Sequence, residues 1–481
     1  MSVEERAETS TPRHGPPAAR PRRAVVLGGG LAGMLAASVL TGHADEVVVL
    51  ERDRLPATAL PRKGLPQARH AHVLLSGGAR AMESLLPGIT DAWLAAGARR
   101  MALPTALVSL SAQGWIPRAA ERQFLISCSR DLLDLVVRQR VTALPRVTVR
   151  EGVEVHGLTG DARRVTGVRL TDEGNGGPGT LAADFVVDAT GRGSRAPRWL
   201  TGLGLPAVRE ETVDSGLVYA SRLFRAPPGA EDFPLVSVAP SPGRDLPGQG
   251  MTMHPVEGGR WLMTVSGTRG GEPSRDNDAF EPFARRLRHP IAADLIARAE
   301  PLTDVHLNRS TVNRRRRFER LDAWPAGFVV TGDAVAAYNP VYGHGMSVAA
   351  LDAVALREVL AGEVLADPRV ARRAQRALAR TADAAWAMAA GEDIHYPGAV
   401  GERPPAATRL LRGYLQRLMR TGTVDHAVTR VLLDVMTLSA PLSRLFAPDV
   451  ALRVARGPGL RPPHEPPVTA DEMARAGLAA R

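Results

Sequence analysis

Cysteine is almost absent from this chain, with Cys128 alone among 481 residues. That excludes an internal disulfide, a CxxC redox pair and a thiolate zinc cluster, and it suits a reducing, cytoplasmic compartment. The lone thiol is expected to be a packing residue rather than a reactive one. Lysine is as scarce: Lys63 is the only one, so the formal net charge of +11 comes from arginine. The bias fits a GC-rich genome, and no aromatic–basic interleaving or zinc spacing points to nucleic acid. No run reaches the roughly 18 uncharged apolar residues that a membrane span needs. Arg22 and Arg23 precede an apolar stretch (24–40), as in an export signal, but glycines interrupt it and no cleavage pattern follows. No Ser-His-Asp set, paired-carboxylate signature, P-loop lysine or metal-ligand set stands out. No side chain is therefore assigned a catalytic role, and the reactive group is expected to be a bound cofactor.

Three distant stretches supply that cofactor's site. The first is GGGLAG (28–33). An apolar strand (24–27) leads into Gly28, Gly30 and Gly33 at dinucleotide-fingerprint spacing. A helix start follows, and a second strand (47–50) ends on Glu51. Gly28 permits a tight turn, Gly30 lets backbone amides approach a pyrophosphate, and Gly33 lets helix and strand pack closely. Leu31 and Ala32 open the helix, whose amino end carries about half a positive charge toward the phosphates. Glu51 falls where an acid caps adenosine ribose hydroxyls, with Arg52 beside it. A glycine-rich turn without ligand is the competing reading.

The second stretch is DATGRGSR (188–195), in which Asp188 ends an apolar strand. It reads equally as an Asx-capped turn or as backbone passing close to a cofactor. The third is TGDAVAAYNPVYGHGMS (331–347). Gly332 and Asp333 sit at a strand's carboxyl end, where a carboxylate can accept from ribityl hydroxyls of a flavin. Pro340, Gly343, His344, Gly345 and Met346 lead into a helix whose amino end would stabilise negative charge on a reduced flavin's pyrimidine edge. Together the three point to FAD. Arg62, Lys63 and Arg130 are candidates to neutralise its phosphates or orient its ring, with a solvated charge the alternative for Lys63; Val155 completes the cofactor set. His70 and His72 lack a third ligand for a metal, and hydrogen bonding near the ring is the remaining role. Arg314–Arg317 reads as a solvated face rather than a docking patch for an acidic carrier protein or an NADPH phosphate.

Patterning along the chain gives an α/β fold: a Rossmann-like FAD-binding domain of the glutathione-reductase type, an inserted antiparallel β-sheet substrate domain and a helical C-terminal region. The expected divisions are a lead-in at 1–22, a discontinuous FAD-binding domain at 23–205 and 304–395, a substrate sheet at 206–303, helices at 396–456 and a tail at 457–481. Helices are expected at 76–86 and 129–141, the latter capped by Ser129. VTVREGVEVHGL and RVTGVRL read as a hairpin-like sheet leading into a Gly-rich turn at 174–179, and residues 257–260 (EGGR) as a hairpin turn.

With those residues in hand, the chain resembles a group-A flavin monooxygenase of the para-hydroxybenzoate hydroxylase fold, in which an arginine stands at the helix start that Arg130 occupies. The strings RKGLPQARHAH (62–72), VDSGLVYASRLFRAPPGA (213–230), TVSGTRGGEP (264–273), RSTVNRRRRFERL (309–321) and GDAVAAYNPVYGHGMS (332–347) narrow the likeness to polyene epoxidases of polyether ionophore biosynthesis, the monensin and lasalocid type. The resemblance implies that NAD(P)H reduces FAD, that O2 forms a flavin C4a-hydroperoxide, and that its distal oxygen epoxidises alkenes of a linear polyene polyketide, free or held on an acyl carrier protein. Such chemistry needs no base but a dry, apolar, elongated cavity. Leu217, Tyr219, Leu223, Met251, Met253, Met263 and Val265 are the expected pocket wall, with Leu262 beside them; packing under the sheet is the competing role for each. An aromatic hydroxylase or a prenyl-chain reductase on the same fold is the alternative. A flavin halogenase and a non-catalytic prenyl-binding protein fit the motifs less well.

Overall fold

Apolar, β-branched runs build the first layer of the molecule. In the computed structural model, which describes residues 21–172, 174, 177–240, 246–402 and 406–478, β1 (Arg23–Leu27) leads through α1 (Leu31–Leu40) into β2 (Glu46–Glu51). Ala24 to Leu27 and Val47 to Leu50 are buried, as strands covered on both faces must be. Each such Val or Leu contributes roughly 1.5–3 kcal/mol by leaving water. α2 (Ser76–Leu85) and α3 (Arg130–Thr142) follow; Ser129 caps α3, its side chain accepting from Leu132 N at 3.2 Å. β3 (Val147–Glu151) and β4 (Phe185–Asp188) then add to the sheet in parallel. Val147–Glu151 thus belongs to the parallel sheet rather than to a hairpin. The antiparallel unit beside it consists of Val153–Gly160, Val165–Asp172 and Gly177–Ala182, so the expected Gly-rich turn is partly strand.

A larger sheet follows. β5 (Val218–Arg225), β6 (Leu235–Val238), β7 (Gln249–Val256) and β8 (Arg260–Gly267) lie in the spatial order β5-β8-β7-β6. Gly258 and Gly259, both with positive φ (73° and 66°), make the β7–β8 turn. Leu107–Ser111 joins β6 in parallel, so an early segment completes this sheet. α4 (Phe280–Arg285) and α5 (Ile291–Ile296) cover its far side, closing a core of Phe224, Val236, Trp261, Phe283 and Leu295.

The chain then returns through β9 (Phe328–Val330), which completes the parallel sheet in the order β9-β4-β1-β2-β3. α6 (Gly345–Leu360) and the long α7 (Pro368–Asp393) pack against it. α8 (Ala406–Gly422), α9 (His426–Met436) and α10 (Pro448–Arg456) form a smaller core of their own. The tail turns back onto the larger sheet, where Arg118 pairs with Glu472 at 2.6 Å and Ala476 enters the sheet core. Among the described residues no helix is long and apolar enough to cross a membrane. The expected lead-in lies almost wholly outside the described residues; Arg22 pairs with Asp45.

Candidate functional site

Register places the three motifs together. Leu27 stands beside both Leu50 and Asp188, and Asp188 beside Val330, so GGGLAG, DATGRGSR and TGDAVAAYNPVYGHGMS all begin at one carboxyl edge of the parallel sheet. That edge is where ligands bind in open α/β sheets. It forms one wall of a cleft of about 1390 Å³, and the larger sheet with the 62–73 loop forms the other.

The first motif is a cradle that side chains would destroy. Gly28 has φ +95°, and a Cβ there would stand 2.8 Å from Ala189 O; a Cβ on Gly33 would stand 1.9 Å from Gly28 O. Gly30 is the N-cap of α1 and makes no side-chain cap, so the helix's first amides face the cleft beside Leu31 and Ala32. Glu51 accepts from Gly29 N at 2.7 Å, from Arg62 Nη1 at 3.1 Å and from Asp53 N at 2.9 Å. Arg52, Arg62, Lys63, Arg130 and Val155 line the same cleft. Arg130 is held by Asp134 at 2.8 Å, whereas Lys63 is exposed at the rim.

Asp188 does not face the cleft. Fully buried, it accepts from Thr190 N (2.9 Å), Thr190 Oγ1 (2.6 Å) and Ser194 Oγ (2.6 Å), so its carboxylate shapes its own loop. This corrects its reading as a cofactor contact. What the loop presents instead is backbone at 189–193 and Arg192, which donates to Val312 O and Tyr338 O at 2.8 and 2.6 Å. Gly332 packs on α1, where an added Cβ would meet Ala32 Cβ at 2.9 Å. Asp333 does line the cleft, and among the described residues no hydrogen-bond donor meets its carboxylate. Burial pushes its carboxyl up, and the Arg192 and Arg130 guanidinium groups pull it back down.

Pro340, Gly343, His344, Gly345 and Met346 also line the cleft, ahead of α6. Their loop is fixed from beneath by Asp393, at the carboxyl end of α7. Asp393 is buried and accepts from Asn313 Nδ2 (2.7 Å), Asn339 Nδ2 (2.7 Å) and Tyr342 Oη (2.8 Å). Asp352 in α6 similarly accepts from Gly332 N at 2.9 Å and Thr331 Oγ1 at 3.1 Å, and burial raises its pKa to about 6. Sequence reasoning missed Arg192, Asp352 and Asp393. Arg192 was visible inside a motif, but the two acids sit in helices with no local pattern to mark them.

The opposite wall overturns the expected pocket. Residues of a strand alternate between faces. Met251, Met253, Met263 and Val265 occupy the face turned to α4 and α5, and each is 4 % exposed or less within that core. Leu217, Leu223 and Leu262 do not line the cleft, and Tyr219 alone of the expected set does. The cleft-side rows run through Tyr219 and Ser266, then through Ser221, Thr264 and Thr252. On them docks the 62–73 loop: Ala71 N donates to Thr264 Oγ1 at 2.8 Å, and His70 Nδ1 meets Ser221 Oγ at 2.7 Å. His70 packs edge-on against Tyr219 with ring centroids 4.2 Å apart. Burial lowers the pKa of His70 to about 3 and of His72 to about 4, and raises that of Tyr219.

Arg314–Arg317 is neither a solvated face nor a dock. Arg315 and Arg316 are buried, with Arg315 on Asp383 at 2.7 Å and Arg316 on Glu210 at 2.9 Å, while Arg317 holds Glu211 at 2.5 Å. Cys128 is buried and its thiol pKa is raised by desolvation, as an inert packing cysteine requires. Among the described residues no group of His, Cys, Asp and Glu could hold a metal.

The cradle, the ribose-side acid and the unpaired Asp333 carboxylate fit FAD, and comparison with known proteins agrees. The FAD binding domain family model matches residues 22–391, and the chain belongs to that family. Protein Rv3254 of Mycobacterium tuberculosis is 35% identical over 392 residues, covering 79% of this chain and 82% of that protein. Kynurenine 3-monooxygenase of Salinispora arenicola is 28% identical over 354 residues, covering 71% and 73%. The structure of p-nitrophenol 4-monooxygenase from Pseudomonas putida superposes with a TM-score of 0.57 at 18% identity, over 87% of this chain and 99% of that one. The chain is an FAD-dependent enzyme of the flavin monooxygenase family, in which NAD(P)H is the typical reductant.

Proposed function

We propose that this enzyme oxygenates an alkene of a linear polyene polyketide, giving an epoxide on the way to a polyether. On this reading residues 23–205 and 304–395 hold the cofactor and 206–303 face the substrate. FAD, reduced by NAD(P)H, supplies electrophilic oxygen drawn from O2. Gly28, Gly30 and the amino end of α1 would hold its pyrophosphate, Glu51 its ribose, Asp333 its ribityl chain and the 343–346 backbone its pyrimidine edge. Asp393 and Asp352 keep those groups in place.

The observation that carries the epoxide reading is how the imidazoles of the cleft are tied down: His70 is 3 % exposed with Nδ1 on Ser221 Oγ, and His72 Nδ1 is on His70 O. His70 and His72, at about 3 and about 4, are neutral weak bases at pH 7, and the Tyr219 pKa is raised. Hydroxylation of a phenol gains from a base poised near neutrality, and alkene oxygenation needs none. The strings at 213–230 and 264–273, which fall in the larger sheet, add support.

A second reading, aromatic hydroxylation, is favoured by the likeness to a kynurenine 3-monooxygenase. The FAD-loaded enzyme, NADPH and air with 6-methyl-5-hepten-2-one in one vessel and phenol in another separates the two. An epoxide found by mass supports the first reading, and a hydroxylated ring without epoxide supports the second. Reductant consumed with neither product oxygenated sinks both.

A further inference from the structure

Beyond the residues assigned to the cofactor, two largely buried side chains of the cleft carry a polar atom with no protein partner. His70 is 3 % and Tyr219 2 % exposed, yet both line the cleft. Among the described residues neither His70 Nε2 nor the Tyr219 hydroxyl has a hydrogen-bond partner, although His70 Nδ1 does.

The direction of the hydrogens can be worked out. Thr264 Oγ1 accepts from Ala71 N and lies 2.6 Å from Ser221 Oγ, which lies 2.7 Å from His70 Nδ1. If Nδ1 carried the proton, one of the two hydroxyl hydrogens would have no protein acceptor. The order Thr264 to Ser221 to His70 pairs both hydroxyl hydrogens and leaves only a ring N–H on the cleft side without a protein acceptor. In that order Nδ1 accepts and the ring proton is on Nε2, away from Ser221.

We propose that His70 Nε2–H and the Tyr219 hydroxyl form a two-donor recess that binds one oxygen acceptor of the substrate, a carbonyl or a carboxylate. The rings pack edge-on with centroids 4.2 Å apart, which keeps the two groups side by side at one end of the cleft. Arg69 and Arg192 lie near and favour electron-rich oxygen there. The recess would place a chain by its oxygenated end and leave the alkene to reach the flavin. It rests on the reading of this cleft as the substrate site.

Binding is tested apart from turnover, on the oxidised FAD-loaded enzyme without reductant, by perturbation of the bound flavin's absorbance. The probes are 6-methyl-5-hepten-2-one, 5-methyl-4-hexenoate and 2-methyl-2-heptene, which share a trisubstituted alkene and differ in the acceptor. The ketone, the acid or both are expected to bind roughly 10- to 100-fold more tightly than the hydrocarbon, and whichever wins identifies the acceptor. His70→Ala and Tyr219→Phe should each remove most of that preference with FAD affinity unchanged, and His70→Gln, which restores a donor, should regain part of it. Equal binding of all three probes by the unmodified enzyme overturns the recess, as does loss of FAD affinity in Tyr219→Phe in step with the probes. Discrimination without any epoxide formation defeats the alkene reading and leaves the recess standing; epoxide without discrimination does the reverse.

Discussion

The two walls of the cleft differ in how they are specified. The nucleotide wall is made of backbone, where Gly28 and Gly33 leave no room for a methyl group and register alone brings three motifs to one edge. The sheet wall is made of side chains, and which of them face the cleft depends on a parity that a single residue inverts. A motif dictated by close approach carries its location with it. An alternating strand states which residues share a face, but not which face is turned inward.

Breaking the nucleotide wall should have the largest effect. Gly33→Val puts a side chain where even a Cβ would be 1.9 Å from a carbonyl, and purified protein should carry no flavin by absorbance. Met263, fully buried behind the sheet, sharpens the contrast: Met263→Ala should cost about 2–5 kcal/mol in a urea titration while the folded protein keeps its FAD affinity. Were Met263 a pocket residue, ligand affinity would fall and stability would hold. His254, in β7, tests the sheet wall where it packs on a neighbouring strand. It is fully buried against Ser127, and burial lowers its pKa from 6.5 to about 4. The unfolded chain binds the extra proton, so the contribution of neutral His254 is complete above pH 6.5 and is lost as pH falls toward 4. His254→Gln should flatten the acid limb of the stability profile by about 1–3 kcal/mol. The smallest effect is expected at Glu51, whose carboxylate already serves Gly29 and Arg62; Glu51→Gln should weaken FAD binding by about 1–2 kcal/mol in a fluorescence titration.

This difference also explains what was legible. The fingerprint glycines, Glu51 and the 343–346 loop were readable because local geometry demands those residues in that order. Asp393 was not, because its donors Asn313, Asn339 and Tyr342 lie 80, 54 and 51 residues away and meet it only through the fold. Met251, Met253, Met263 and Val265 were assigned to the cleft because apolar residues suit an apolar ligand, yet the same residues suit a core, and α4 and α5 supply one. The Val147–Glu151 strand was misplaced for a related reason: alternation marks a strand and leaves its partner open, and here the partner is β2.

The most direct test of the account is a fluorescence titration of flavin-stripped protein with FAD, alongside Gly30→Val and Asp333→Ala. Saturation at one FAD per chain, with affinity lost in both variants, is the predicted result. A chain that takes up no FAD, or one whose affinity is the same in all three proteins, would contradict the placement of the cofactor at the carboxyl edge of the parallel sheet.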